Sequence, residues 1–176
     1  GSKDETEPEE SINYELGVRY RQQGVRAQAV GFFNDYSNLL GADLAAAGGQ
    51  GTTDQFNGGE VDVKGLELSL AYDFGAVVPT RWSVPFQVSY TLTDAAFQTS
   101  FESEFEGWGD VAEGDTPPYL PKHQLAARLG VENKRFGVNL SASYVGKMRT
   151  VAGQGAFIPA EVIEAHLVLD LATNVH

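Results

Sequence analysis

The sequence predicts an all-β fold: an antiparallel, up-and-down transmembrane β-barrel segment of about seven strands of a larger barrel. Three observations carry this. Seven stretches alternate apolar and polar residues with a period of two, the signature of strands with two unlike faces. Their connections are alternately short and long, as in an outer-membrane barrel with short periplasmic turns and long extracellular loops. A soluble sandwich has no reason to keep its long loops on one side. The polar face mixes small residues, amides, hydroxyls and charges of both signs, which suits a wide hydrated lumen better than a solvent face or an apolar interior.

The elements follow in order. Residues 1–11 form a charged lead-in, and 12–176 the partial barrel domain. The first strand, 12–21, sets Ile12, Tyr14, Leu16, Val18 and Tyr20 against Asn13, Glu15, Gly17, Arg19 and Arg21. A turn at Gln22–Gly24 leads to the second strand, 25–39, whose pattern is the weakest: Val30 and Phe32 fall on the wrong face, so a bulge near Gly31 is expected. The Gly/Ala-rich segment 41–59 reads as a loop. The third strand, 61–74, alternates clearly through Leu66, Leu68, Leu70, Tyr72 and Phe74. The fourth, 82–96, carries Trp82, Val84, Phe86, Val88, Tyr90 and Leu92; Pro85 cannot donate to a ladder and belongs near an end or an irregularity. An acidic loop, 97–120, precedes the fifth strand, 122–132. A tight turn joins it to the sixth, 136–147, and a third loop, 149–160, leads to the seventh, 162–175.

Composition bounds the rest. There is no cysteine, hence no disulfide framework or thiolate metal site. A net charge of −12 argues against nucleic-acid binding, which needs a basic footprint. No run of about 18 apolar residues marks a transmembrane helix. The mean hydropathy of −0.23 is compatible with a barrel, since only every second strand residue must face lipid. Aromatic residues band at both ends of the apolar face, with Tyr20, Tyr72, Phe74, Trp82 and Phe136 toward the short turns and Tyr14, Tyr90 and Tyr144 toward the loops. Phe136 and Tyr144 stand roughly 20 Å apart in height, close to the spacing of membrane-interface girdles. Seven strands cannot close a bacterial barrel and would leave two bare edges in lipid, so the chain reads as part of a longer one.

The stretch Glu7–Leu40 resembles the TonB-dependent outer-membrane receptors, especially ferric-citrate and other siderophore receptors. The resemblance rests on Pro8-Glu9, Tyr14-Glu15-Leu16-Gly17, Phe32-Phe33, Asp35-Tyr36-Ser37-Asn38, the Gly65-Leu66-Glu67 strand and the "LPKHQL" stretch after the second loop. It implies a 22-stranded barrel and uptake of a ferric siderophore or similar iron chelate. The implied partners are outer-membrane lipid, a plug domain inside the barrel, the TonB complex and the iron(III) chelate, with no resident cofactor. Neither a plug nor a TonB box is recognisable in this stretch. The rival from another class is a structural or surface-binding barrel module without transport activity.

Candidate ligand-binding residues are few. Lys147 and Arg149 sit at the mouth of the third loop, Arg128 and Lys122 are expected to point into the lumen, and Trp108 lies in the acidic loop with Phe101 and Phe105. Basic residues suit an anionic ferric chelate; the competing expectation is pairing with lumen carboxylates such as Glu15, Glu67 and Glu132, or contact with a plug. For Trp108 the competing expectation is packing within the loop. His123, His166 and His176 share no metal-ligand spacing, and no Ser–His pair is placed for catalysis, so no enzyme activity is expected. The acidic loop lacks ordered calcium-ligand spacing and reads as solvated.

Overall fold

The structure, a computed structural model, describes residues 8–38, 59–76, 81–102 and 108–175. Eleven strands occur among them: β1 (Glu10–Gln22), β2 (Val25–Ser37), β3 (Val61–Asp73), β4 (Pro85–Phe97), β5 (Phe101–Glu102), β6 (Asp110–Val111), β7 (His123–Glu132), β8 (Phe136–Val145), β9 (Met148–Arg149), β10 (Val162–Ile163) and β11 (His166–Val175). Seven of them form one antiparallel sheet in the order β1-β2-β3-β4-β7-β8-β11, so every neighbour in the sheet is also the next long strand in sequence. The sheet is open, with β1 and β11 at its edges. The four short strands make two small ladders, β5 with β6 and β10 with β9, both on the long-loop side.

The short-turn side is built by local chemistry. Gln23 and Gly24 both take positive φ, +43° and +83°, the backbone of a primed two-residue hairpin turn. Asn133 Oδ1 accepts the backbone N–H groups of Arg135 (2.7 Å) and Phe136 (2.9 Å), closing the β7–β8 turn. Between β3 and β4, the Asp73 carboxylate accepts from the backbone N–H of Gly75 (2.9 Å) and Val84 (3.0 Å) and from the Ser83 hydroxyl (3.0 Å). Pro85 opens β4, where its missing donor is least costly.

Two expectations are corrected. No bulge occurs at Gly31: the β1–β2 and β2–β3 registers run unbroken through it, Leu16 opposite Gly31 and Gly31 opposite Leu66. Val30 and Phe32 therefore stay on the polar face, where Phe32 lies over Gly65. Residues 162 and 163 do not begin the last long strand. They pair with Arg149 and Met148 in a loop hairpin, and the long strand starts at His166.

Register also fixes the two faces. One carries Leu16, Val18 and Tyr20 on β1, small residues on β2, Leu66 to Tyr72 on β3, Phe86 to Leu92 on β4, Leu125 to Val131 on β7, Phe136 to Tyr144 on β8 and Leu167 to Leu171 on β11. These side chains are exposed or half-exposed, Leu16 by 83%. A soluble protein rarely leaves so continuous an apolar surface bare. The band does not run along the hydrogen-bond rows. Its centre is Leu16 on β1, in the row that includes Gly31, Leu66 and Leu92, but Leu140 on β8, three rows nearer the short turns. A drift of about 20 Å along the strands over about 24 Å across five strand spacings is a tilt of about 40°. That is the tilt at which barrel strands cross a membrane. No helix among the described residues is long and apolar enough to cross one.

Candidate functional site

The loop side is capped by a small core on the polar face of the sheet. Val61 on β3 and Phe97 on β4 are opposite each other and both fully buried. Trp108, 1% exposed, and Val111 close over them, with Tyr36, Val63, Phe101 and Ala152 around. The rings of Phe97, Phe101 and Trp108 meet at 5.3–5.6 Å between centroids, tilted or edge-on. Backbone bonds tie the second loop to β4: Phe97 N–H donates to Asp115 O (2.9 Å) and Gly114 N–H to Phe97 O (2.8 Å). The buried Asp115 carboxylate accepts the Ala112 N–H at 2.9 Å. The second and third loops are also joined to each other. Thr116 and Gly153 exchange backbone bonds, and Tyr119 N–H donates to Arg149 O (2.8 Å). The described parts of both loops form one cap over the mouth of the polar face.

The candidate residues fall in three places. Trp108 is the centre of the cap core, so its indole packs the loop and presents no open face. Arg149 is also buried: its Nη2 donates to the carbonyls of Gly155 (2.7 Å) and Ala156 (3.4 Å), and its guanidinium lies 4.8 Å from the Phe157 ring centroid. Arg149 thus holds the third loop in shape. Lys147 is exposed, with its ammonium 4.3 Å from the same ring centroid. Two cations around one ring make this edge of the cap electropositive.

Arg128 projects from the polar face and donates to Asn139 Oδ1 from Nη2 (3.0 Å) and Nε (3.3 Å). Lys122 does not point into the lumen. Its Nζ is 2.7 Å from Asp94 Oδ1, and Asp94 stands opposite Lys64 on the outward face, 3.8 Å from the Lys64 ammonium. Lys122 comes just before β7, and its carbonyl still accepts the Thr93 N–H at 3.0 Å, so the backbone pairing continues there while the long side chain reaches across to Asp94. Lys64, Asp94 and Lys122 border the apolar band on its loop side. Just below them the Tyr90 hydroxyl and His123 Nδ1 are 2.8 Å apart, the polar tips of two rings whose bodies lie on the band. At the opposite border Asp73, the last residue of β3, accepts the Val84 and Gly75 N–H groups and the Ser83 hydroxyl.

Glu15 and Glu67 share the polar face, yet neither pairs with a described arginine; both ion pairs among the described residues involve Asp94. Among the described residues no three His, Asp or Glu side chains cluster as a metal site. Phe105 and the acidic residues Glu104 and Glu106 lie outside the described residues. Sequence reasoning missed the joined cap; the aromatics Phe97, Phe101 and Trp108 were its only signal.

Comparison with known proteins gives a consistent result. Residues 5–175 match the model of a family described as TonB dependent receptor-like, β-barrel. The pesticin receptor of Yersinia enterocolitica is 27% identical over 142 residues, 78% of this chain and 18% of that protein. Its Yersinia pestis counterpart is 26% identical over the same share. Among solved structures, the ferric yersiniabactin uptake receptor of Yersinia pestis superposes with a TM-score of 0.66 at 19% identity, over 95% of this chain and 22% of that one. The unliganded ferric citrate transporter gives 0.64 at 17%, over 93% and 23%. The ferric-catecholate import receptor of E. coli K12 gives 0.63 at 22%, over 99% and 22%. The chain spans about a fifth of the length of these relatives.

Proposed function

Since the chain belongs to the TonB-dependent receptor-like β-barrel family, whose barrels lie in the bacterial outer membrane, we propose that it forms one arc of the wall and part of the outer mouth of a receptor that takes up a ferric siderophore or similar iron chelate. The family match over residues 5–175 carries this reading. The two-faced sheet supports it, because a tilted apolar band on one side and a hydrated polar side on the other are what such a wall requires. In the complete protein the remaining strands close the barrel, a plug fills the lumen, and energy arrives through the TonB complex. Similarity to receptors named for ferric yersiniabactin, citrate and catecholates supports an iron(III) chelate as the ligand class, and the chain has no enzymatic role. The exposed Lys147, at the Phe157 edge of the cap, is the residue best placed to meet an anionic chelate; Arg149 acts behind it by shaping the loop.

The test is uptake of radiolabelled ferric chelates by iron-starved cells that make the full-length protein. Uptake of one chelate class should require both this protein and TonB. A Lys147→Glu variant should weaken binding of an anionic chelate several-fold while leaving the amount of folded protein unchanged. Full growth on every iron source without the protein, together with no chelate binding, would favour a structural module instead.

A further inference from the structure

The short-turn edge of the wall is basic, although the net charge of the chain is −12. Ser83 and Glu132 exchange backbone hydrogen bonds of 2.8 and 2.9 Å, which sets the β3–β4 connection against the β7–β8 turn. Each of these neighbours carries an exposed aromatic ring with a cation one residue beyond it, away from the apolar band. Trp82, 45% exposed, follows Arg81, and Phe136, 53% exposed, follows Arg135. Lys134 stands at the tip of the β7–β8 turn, whose shape Asn133 fixes by accepting the Arg135 and Phe136 N–H groups.

Arg81, Lys134 and Arg135 are all exposed, and none is in an ion pair; both ion pairs among the described residues involve Asp94, toward the other end of the sheet. Local acids do not neutralise them. The sequence from Phe74 to Trp82 contains no acid, nor does Asn133–Phe136. Asp73 is committed to Gly75, Val84 and Ser83. Glu132 is half-buried, and strand alternation places it with Arg128 and Gly130 on the polar face. Three uncompensated cations therefore lie just past the apolar band, at the depth of lipid headgroups. Rings at the membrane–water boundary with basic side chains beyond them match a lipid whose acyl chains lie on the rings and whose phosphate meets the cations. Guanidinium groups take phosphate oxygens in pairs, and the lysine adds a point charge. A zwitterionic headgroup brings its own ammonium, which these cations repel; a headgroup of net negative charge does not.

We propose that the Arg81–Lys134–Arg135 edge binds the phosphate of an anionic glycerophospholipid in the periplasmic leaflet of the outer membrane, with Trp82 and Phe136 against its acyl chains. This goes beyond the proposed function, and it rests on reading the sheet as a membrane wall with its short turns toward the periplasm.

The test is photocrosslinking of the full-length protein in vesicles of equimolar phosphatidylglycerol and phosphatidylethanolamine. With p-benzoylphenylalanine in place of Phe136, irradiation should give lipid adducts, identified by mass spectrometry, in which phosphatidylglycerol exceeds phosphatidylethanolamine about fivefold. The same probe in place of Leu68, in the apolar band of β3, should give the two lipids equally. Combined Arg81→Ser, Lys134→Ser and Arg135→Ser replacements should bring the Phe136 ratio down to that at Leu68. Arg81→Lys with Arg135→Lys should keep most of the preference, and rising salt should weaken it. Equal ratios at the two positions, a ratio indifferent to the Ser replacements, or, in outer membranes, a Phe136 adduct to polypeptide instead of lipid would overturn the proposal. Heat-modifiable migration of each variant, which reports an intact barrel, separates failure of this contact from failure of the barrel reading.

Discussion

At the scale of single residues, the cap depends on a few side chains with no substitute. Trp108 is almost wholly enclosed by Phe97, Phe101 and Val111. Truncating a buried tryptophan to alanine costs about 3–5 kcal/mol, from lost burial and the cavity left behind. That cost falls on the cap rather than the wall, because the strands are held by their own ladders. Trp108→Ala should therefore open the second loop to limited proteolysis and speed amide exchange at Gly114 and Thr116, with heat-modifiable migration unchanged. Asp73 acts in the same way at the other border. Its carboxylate accepts the Gly75 and Val84 N–H groups and the Ser83 hydroxyl, which together shape the β3–β4 connection. Asp73→Ala should lower amide protection at Gly75 and Val84, at a cost of about 1–2 kcal/mol to the turn.

At the scale of the strand, neighbouring residues meet opposite media. Leu68 lies in the apolar band, between Ala29 and Tyr90 in its row, whereas Ser69 is on the polar face. An arginine at the bilayer midplane of a barrel costs about 2–4 kcal/mol, while a lumen substitution carries no such penalty. Leu68→Arg in the full-length protein should lower the unfolding free energy from urea titration in lipid vesicles by that amount, and Ser69→Arg should leave it nearly unchanged; equal effects would show that the two faces meet the same medium. This two-sidedness was legible in the sequence because a period of two maps onto faces without knowledge of pairing partners. What was not legible depended on partners. Val30 and Phe32 suggested a bulge, but Gly65 across the ladder leaves room for Phe32 on the polar face. Residues 162 and 163 carried strand-like residues, but their partners are in the third loop. Lys122 followed the alternation in sequence, but its long side chain reaches Asp94 from the end of the strand, a partner that period alone does not reveal. The joined cap was invisible because period says nothing about where a loop folds back.

At the scale of the whole molecule, the open edges decide what the chain can do by itself. β1 and β11 each have one neighbour in the sheet, so their outer sides present backbone N–H and C=O groups along 13 and 10 residues. In an antiparallel ladder about half of a strand's groups point to each side, which leaves on the order of ten bare groups per edge. Each costs several kcal/mol in hydrocarbon, where water cannot satisfy it, so the two edges together oppose insertion by tens of kcal/mol. Burying the apolar band contributes to stability but does not relieve that term, since lipid offers no hydrogen bonds. The tilt of about 40° points the same way: strands so inclined wrap into a barrel only if the ladder continues past both edges until it closes. Residues 1–176 refolded alone into detergent or lipid vesicles should therefore migrate identically in gels with and without heating and stay open to protease within β1 and β11. The full-length protein should be heat-modifiable and protected there. A compact, heat-modifiable monomer of the isolated chain would mean that seven strands satisfy their own edges, and would sink the assignment of this sheet as one arc of a larger wall.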